Sequence, residues 1–214
     1  MVVPPSLPRR SEKRVLLGAP RHGKPQQAHF PSPRPSTHTM GNHLSTSEFE
    51  TTHLFPQVAP VVAIDATYVT TTHVHLDMGC GPVVRDVDTG ASIFRVDGDR
   101  LWDRDGRACA TMRSGLVSRT VYGAADEPLF DISTGTAAAS CDVQDPVSGQ
   151  RHAYSAVGTL SSSKAIITCD GVPVAKFRHN GSYHFGPCFD LDIAAGVDMA
   201  LVVLLCLSLF PSDF

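Results

Sequence analysis

The sequence predicts a mainly β protein: a closed antiparallel β-barrel around one central hydrophobic C-terminal α-helix. Three observations carry that expectation. The run from Met199 to Phe210, M-A-L-V-V-L-L-C-L-S-L-F, holds no charge and a single polar residue, Ser208, so a helix here has no face to show to water. Short β-branched runs recur before it at steps of roughly 8–12 residues, divided by Asx-Gly turns. Several of those runs alternate apolar and polar residues, which leaves one face of the sheet in need of a filling.

The elements follow in chain order. Residues 1–53 read as a disordered, basic, proline-rich tail, and 54–214 as the barrel domain. Eight of the sixteen prolines precede residue 40, and apolar periodicity is absent, so little surface can be buried to offset chain entropy. Charge divides at the same place. Residues 1–40 hold seven of the 18 Lys/Arg and one of the 21 Asp/Glu, leaving eleven basic and twenty acidic side chains for the rest. A body that acidic lacks the clustered basic face that nucleic acid binding requires. The paired bases Arg9-Arg10 and Lys13-Arg14 fit a nuclear signal, and the acid-poor start fits a mitochondrial transit peptide equally well. Met40-Gly41-Asn42-His43-Leu44-Ser45 fits M-G-x-x-x-S, the pattern for myristoylation at Gly41, on condition that translation starts at Met40; the competing reading is a chance match within a disordered tail.

From Val61 the texture becomes strand-like. Thirteen runs qualify: Val61–Ile64, Tyr68–Leu76, Val83–Val87, Ser92–Val96, Arg100–Asp103, Ala108–Arg113, Ser118–Tyr122, Leu129–Ser133, Ala137–Val143, Arg151–Val157, Ala165–Cys169, Val174–Arg178 and Tyr183–Ala194. Asp88-Thr89-Gly90, Asp97-Gly98, Asp105-Gly106, Asp170-Gly171 and Asn180-Gly181 lie between them and supply the positive φ of tight hairpins. No connection has room for a helical crossover, so consecutive strands pair antiparallel. Phe189, Leu191 and Ile193 alternate with Asp190 and Asp192, an inside and an outside. Trp102, Phe94, Phe130, Phe177 and Phe189 are expected in the core. The C-terminal run is too short for a membrane span of about 20 residues. Asp198 caps its start and Pro211 ends it, placing Leu201, Leu204, Leu205 and Leu207 at the barrel's centre.

The chemistry-bearing residues offer no catalytic constellation: G-x-S-x-G, H-E-x-x-H, P-loop and G-x-G-x-x-G patterns are all missing. His73 and His75 share a strand face but lack a third ligand at matching spacing, so no metal is expected there. Asp97, Asp99, Asp103 and Asp105 resemble a calcium loop only until Arg100, Trp102 and Arg104 interrupt it; they are turn residues. The six cysteines (80, 109, 141, 169, 188, 206) are scattered singly and read as reduced core thiols, with Cys206 buried among Leu and Val. Asn180-Gly181-Ser182 matches a glycosylation sequon and is read as a turn. Lys164, Lys176, Arg178 and His179 come from adjacent strands and make a candidate anion-binding patch. No cofactor is expected, and the chain is expected to be a monomer.

The segment Ile193-Ala194-Ala195-Gly196-Val197-Asp198-Met199-Ala200-Leu201-Val202-Val203 resembles the ending of LURP-one-related proteins, relatives of the tubby C-terminal domain and the phospholipid scramblases. Gly90–Gly98, Leu101–Arg113 and Gly171–Arg178 are similar to that family's hairpins in the same order, and the G-V-D-x-A-L helix start is the most specific piece. Ala195 stands where the family usually has proline, Pro211–Phe214 replaces its acidic ending, and bases are sparse between the last two strands. The resemblance implies a tubby-like closed antiparallel barrel of about twelve strands, with Val61–Ile64 a lead-in rather than a barrel strand, and without established catalytic residues. It also implies a role in regulation or defence signalling, by reversible association with membrane phosphoinositides or other lipid headgroups, or by contact with a protein partner through the acidic exterior. Cytoplasmic location with a membrane-associated fraction accompanies the first alternative.

Overall fold

Twelve strands close into a barrel in the computed structural model, which describes residues 44–79, 81–115, 118–135, 138–159, 164–179 and 189–209. All of these lie in one compact unit. A helix α1 (Thr46–Thr51) and a 3₁₀ turn (Ala66–Tyr68) come first. The strands are β1 (Val74–Met78), β2 (Val83–Asp86), β3 (Ser92–Asp97), β4 (Arg100–Asp103), β5 (Ala108–Ser114), β6 (Ser118–Gly123), β7 (Pro128–Gly135), β8 (Ala138–Gln144), β9 (Arg151–Thr159), β10 (Lys164–Cys169), β11 (Val172–His179) and β12 (Phe189–Ile193). The helix α2 (Met199–Ser208) ends the described chain apart from Leu209. Each strand pairs antiparallel with the next, and β1 meets β12 from Val74↔Ile193 to Met78↔Phe189. An even number of alternating strands makes that closing seam antiparallel as well, so no edge is left open.

Asx-Gly chemistry sets the hairpins. Asp170 (φ 52°) and Gly171 (φ 82°) are the two residues between β10 and β11, the double positive φ of a type I′ turn. Asp103, one of the aspartates of the apparent calcium loop, accepts from the Asp105 and Arg107 amides at 2.9 and 2.8 Å, which is turn work.

The strands turn one face inward with period two. Ala139, Cys141 and Val143 of β8 are buried while their neighbours are exposed, and β12 buries Phe189, Leu191 and Ile193. Against this inner wall lies α2, whose residues from Ala200 to Ser208 are all buried. Each buried leucine contributes about 1.5–3 kcal/mol relative to leaving it in water. The helix ends cannot meet solvent, so protein groups satisfy them. At the C-terminal end Arg119 of β6 donates to the Leu207 carbonyl at 3.3 Å, and Ser208 Oγ to the Leu205 carbonyl at 2.7 Å.

Asp198 organises the other end. Its Oδ1 accepts from the Ala200 and Leu201 amides (3.0 and 3.3 Å), the N-cap of α2. Its Oδ2 accepts from the Ala63 and Ile64 amides (3.0 and 2.8 Å), in a segment more than 130 residues upstream. One carboxylate, fully buried, thus ties the barrel's lead-in to its filling. Burial pushes its carboxyl up, and the four backbone N–H groups oppose that rise.

Val61–Ile64 is a lead-in and not a barrel strand: it makes one parallel bridge, Val61↔Val197, and its Ala63 and Ile64 amides serve Asp198. Several other expectations need correction. Tyr68–Leu76 is not one strand: Tyr68 ends the 3₁₀ turn, Val69 bridges Asp198, and β1 begins at Val74. The loop run Val69-Thr70-Thr71-Thr72 is richer in β-branched residues than β1 itself, so composition does not separate loop from strand here; the backbone partners do. Within Tyr183–Ala194, Phe189–Ile193 forms β12, and residues 183–188 lie outside the described residues. Trp102 is not in the core. It is half-buried on the face opposite Leu101, paired across the ladder with Arg95, whose guanidinium lies 5.6 Å from its ring. Phe94, Phe130, Phe177 and Phe189 are buried. The tail reading fails at its end, because residues 46–51 are helical and Phe49 is buried. Cys109, Cys141, Cys169 and Cys206 are free and buried; Cys80, Cys188 and Asn180-Gly181-Ser182 lie outside the described residues.

Candidate functional site

The candidate anion-binding residues converge on the outer wall. Lys164 and Arg178 are direct partners across the β10–β11 ladder, and Lys176 sits opposite Ile166, two places along the same face. Ala165, Ala175 and Phe177 between them point into the core. The period of two therefore collects three cations on one side of two adjacent strands. Ile166 lies on that same outer face yet is only 9% exposed, so the wall is covered there.

Its cover is α1, which packs on β10. Phe49, 2% exposed, has Lys164 Nζ at 5.0 Å, Lys176 Nζ at 5.2 Å and Arg178 Cζ at 5.5 Å from its ring centre. All three distances lie within cation–π range. Glu50 completes the contact. Its Oε1 accepts from Lys164 Nζ at 2.8 Å and from Arg178 at 3.2 Å, and its backbone carbonyl lies 3.5 Å from Lys176 Nζ. The Lys164 hydrogen bond, with the charges of Lys164, Arg178 and Lys176 around it, holds the Glu50 carboxyl below the usual carboxylate range. The fourth residue of the expected patch, His179, is buried and turns away from it.

A reciprocal capping box holds α1 in shape. Ser45 Oγ accepts from the Glu48 amide at 3.1 Å, and Glu48 Oε2 accepts from the Ser45 amide at 3.0 Å. The pattern Ser45-x-x-Glu48 ahead of an apolar residue was the local signal for this helix. It also gives Ser45, the serine of the myristoylation pattern, a structural role. Gly41 lies outside the described residues.

Next to the basic cluster the wall turns acidic. Lys176 faces Asp192 and Arg178 faces Asp190 across the β11–β12 ladder, and Asp190 is in turn opposite Asp77 of β1. Burial, then repulsion from Asp190, pushes the Asp77 carboxyl up. The cations are therefore a local site within an acidic surface and not one end of a broad basic field.

The remaining candidates disperse. His73 lies 4.0 Å from Asp192, and both are half exposed. Cys206 is fully buried in α2, and burial pushes its thiol well up. Leu201, Leu204, Leu205 and Leu207 line the same buried helix. One cluster was not foreseen. One ligating atom each of His152, Cys169 and Asp170 lie within 4.8 Å of one another, with His152 Nδ1 and Asp170 Oδ2 hydrogen-bonded at 2.8 Å. Asp170 Oδ1 accepts from the Ala153 amide, and burial pushes the Cys169 thiol up to about 11, so the group fastens the β10–β11 turn to β9. Among the described residues, no helix is long and apolar enough to cross a membrane.

Comparison with known proteins follows from this architecture. A family model described as LURP-one-related matches residues 69–210. An X-ray structure of a protein from Arabidopsis thaliana is similar in fold, with a TM-score of 0.52 and 17% sequence identity. The match covers 69% of this chain and 96% of that one. No curated protein matches the chain in sequence.

Proposed function

The chain belongs to the LURP-one-related family, and from that premise we propose that its barrel is a non-enzymatic regulatory module that associates reversibly with anionic lipid headgroups, phosphoinositides first among them. The observation that carries this reading is the convergence of Lys164, Lys176 and Arg178 on one acidic residue, Glu50: Lys164 and Arg178 meet its carboxylate and Lys176 its backbone carbonyl. Three cations gathered around the oxygens of one acidic residue are placed equally to meet the oxygens of a phosphate. Each base near an anionic membrane surface is worth about 1 kcal/mol. Three give weak, salt-sensitive binding, which suits reversible recruitment. Acylation of Gly41, in a form whose translation starts at Met40, would add the second of the two signals that stable anchoring needs. The protein is then cytoplasmic with a membrane-bound fraction, and the basic pairs at Arg9–Arg14 make the nucleus the competing destination.

Vesicle flotation tests the reading. The full chain should float with phosphatidylcholine vesicles containing phosphatidylinositol bisphosphate and not with phosphatidylcholine alone. K164A/K176A/R178A should lose that difference. Equal flotation of the triple variant would remove the assignment to these residues.

A second reading has its own observation. Asp77, Asp190 and Asp192 line up on β1 and β12, with Asp77 directly opposite Asp190, a like-charged pair that costs stability. Such a stripe suits a basic protein partner of a soluble regulatory module that binds no lipid. Binding of a lysine-rich peptide that D77N/D190N abolishes, without flotation, would favour it.

A further inference from the structure

We infer that α1 is a built-in occupant of the anion site: Glu50 stands where the ligand's phosphate would sit, so ligand binding and release of α1 are one equilibrium. The inference rests on the preceding reading of Lys164, Lys176 and Arg178 as an anion site and adds its regulation.

Three features of α1 point the same way. First, its contacts are those of a ligand. All three cations surround one aromatic ring, and at least two of them also meet one carboxylate, while Phe49 is the helix's only buried residue. Second, α1 cannot stand alone. Six residues are well below the length at which a helix is stable in water, so its shape depends on docking and on the Ser45–Glu48 box. Leaving the site and losing helical structure are therefore one event. Third, the helix is attached locally. The next backbone contact to the barrel is the Phe55 amide to the Pro173 carbonyl at 2.9 Å, beyond the helix's last residue, Thr51. The strap that follows, Gln57 to Ala195 and Val61 to Gly196, holds the lead-in in place whether or not α1 is docked.

A phosphate monoester carries more charge than a carboxylate and offers more acceptor oxygens. It can engage Lys164, Lys176 and Arg178 together once Glu50 leaves. The apparent affinity of any such ligand is its intrinsic affinity multiplied by the fraction of chains with α1 released. Weakening α1 then tightens ligand binding without touching a residue of the site. A helix that is only a surface staple would show no such effect.

The test uses the full chain as wild type, E50Q and F49A/E50Q. The probe is inositol 1,4,5-trisphosphate, followed by calorimetry, with amide exchange read across residues 46–52. Both variants should keep the wild-type melting temperature and bind about tenfold or more tightly than wild type. Saturating probe should speed exchange at 46–52 in the wild type, and K176E added to E50Q should abolish binding. Equal affinity of all three chains, with exchange at 46–52 unchanged by probe, would overturn the occupant role and leave the anion site standing. No binding by any of them, F49A/E50Q included, would overturn both the site and its regulation.

Discussion

α2 lies inside the barrel and α1 lies against its outer wall, and the two are held by different physics. α2 is buried along its length by apolar contact, and both of its ends are satisfied by protein groups, Asp198 at one and Arg119 at the other. α1 is held by one aromatic ring, one carboxylate and three cations, and its Glu50 side chain remains 52% exposed. Hydrophobic burial is not screened by ions, whereas part-exposed ion pairs are screened and competed for. The difference separates what must stay in place for the barrel to exist from what can leave without harming it.

Breaking the inner helix should have the largest effect. Leu204→Asp puts an unpaired charge at a site 1% exposed, at a cost of about 3–5 kcal/mol or more against a marginal total, and the chain should show no cooperative thermal transition by circular dichroism. Normal melting of this variant would mean that α2 is not the core. Next comes the tie between lead-in and helix. Asp198→Asn keeps one oxygen but turns an amide NH₂ toward two of the four N–H donors, leaving them unsatisfied at about 1–3 kcal/mol each. The midpoint of urea unfolding should fall with an unchanged slope.

The outer helix should respond on a smaller, local scale. Phe49→Ala removes the one buried side chain of α1, worth about 1.5–3 kcal/mol of docking. Exchange at residues 46–52 should rise while the global melting temperature stays put. Acid should act more gently still. The Glu50 carboxyl is held low by Lys164, so its contribution to docking is fully present above the ordinary glutamate value. That contribution is lost as pH falls through the lowered folded value. Amide chemical shifts of 46–52 should therefore move toward coil values below the usual carboxylate range, before the barrel itself unfolds. Shifts that follow barrel unfolding instead would mean that Glu50 is not the anchor.

The same contrast explains what could be read from the sequence. α2 was legible because a run without a polar face has one possible place in a sheet protein. The hairpins were legible because Asp170-Gly171 and its counterparts carry their own backbone requirement. Residues 68–73 read as the start of a strand but form a turn and loop beside Asp198, since local composition does not reveal a bridge partner as distant in sequence as Asp198 is from Val69. Trp102 was misplaced because a large aromatic does not announce which face of a strand it takes, and here it pairs with Arg95 outside. The cations Lys164, Lys176 and Arg178 were legible as neighbours on adjacent strands. Their cover was not. A six-residue helix owes its existence to docking, and Ser45-x-x-Glu48 was its one local mark.

The most direct measurement is residue-resolved hydrogen exchange of both helices in one sample of the full chain. α2 amides should exchange only through global unfolding, and α1 amides should open with far lower free energy, faster still when a phosphoinositide headgroup is added. A single opening free energy shared by α1 and α2, unmoved by the headgroup, would contradict the account.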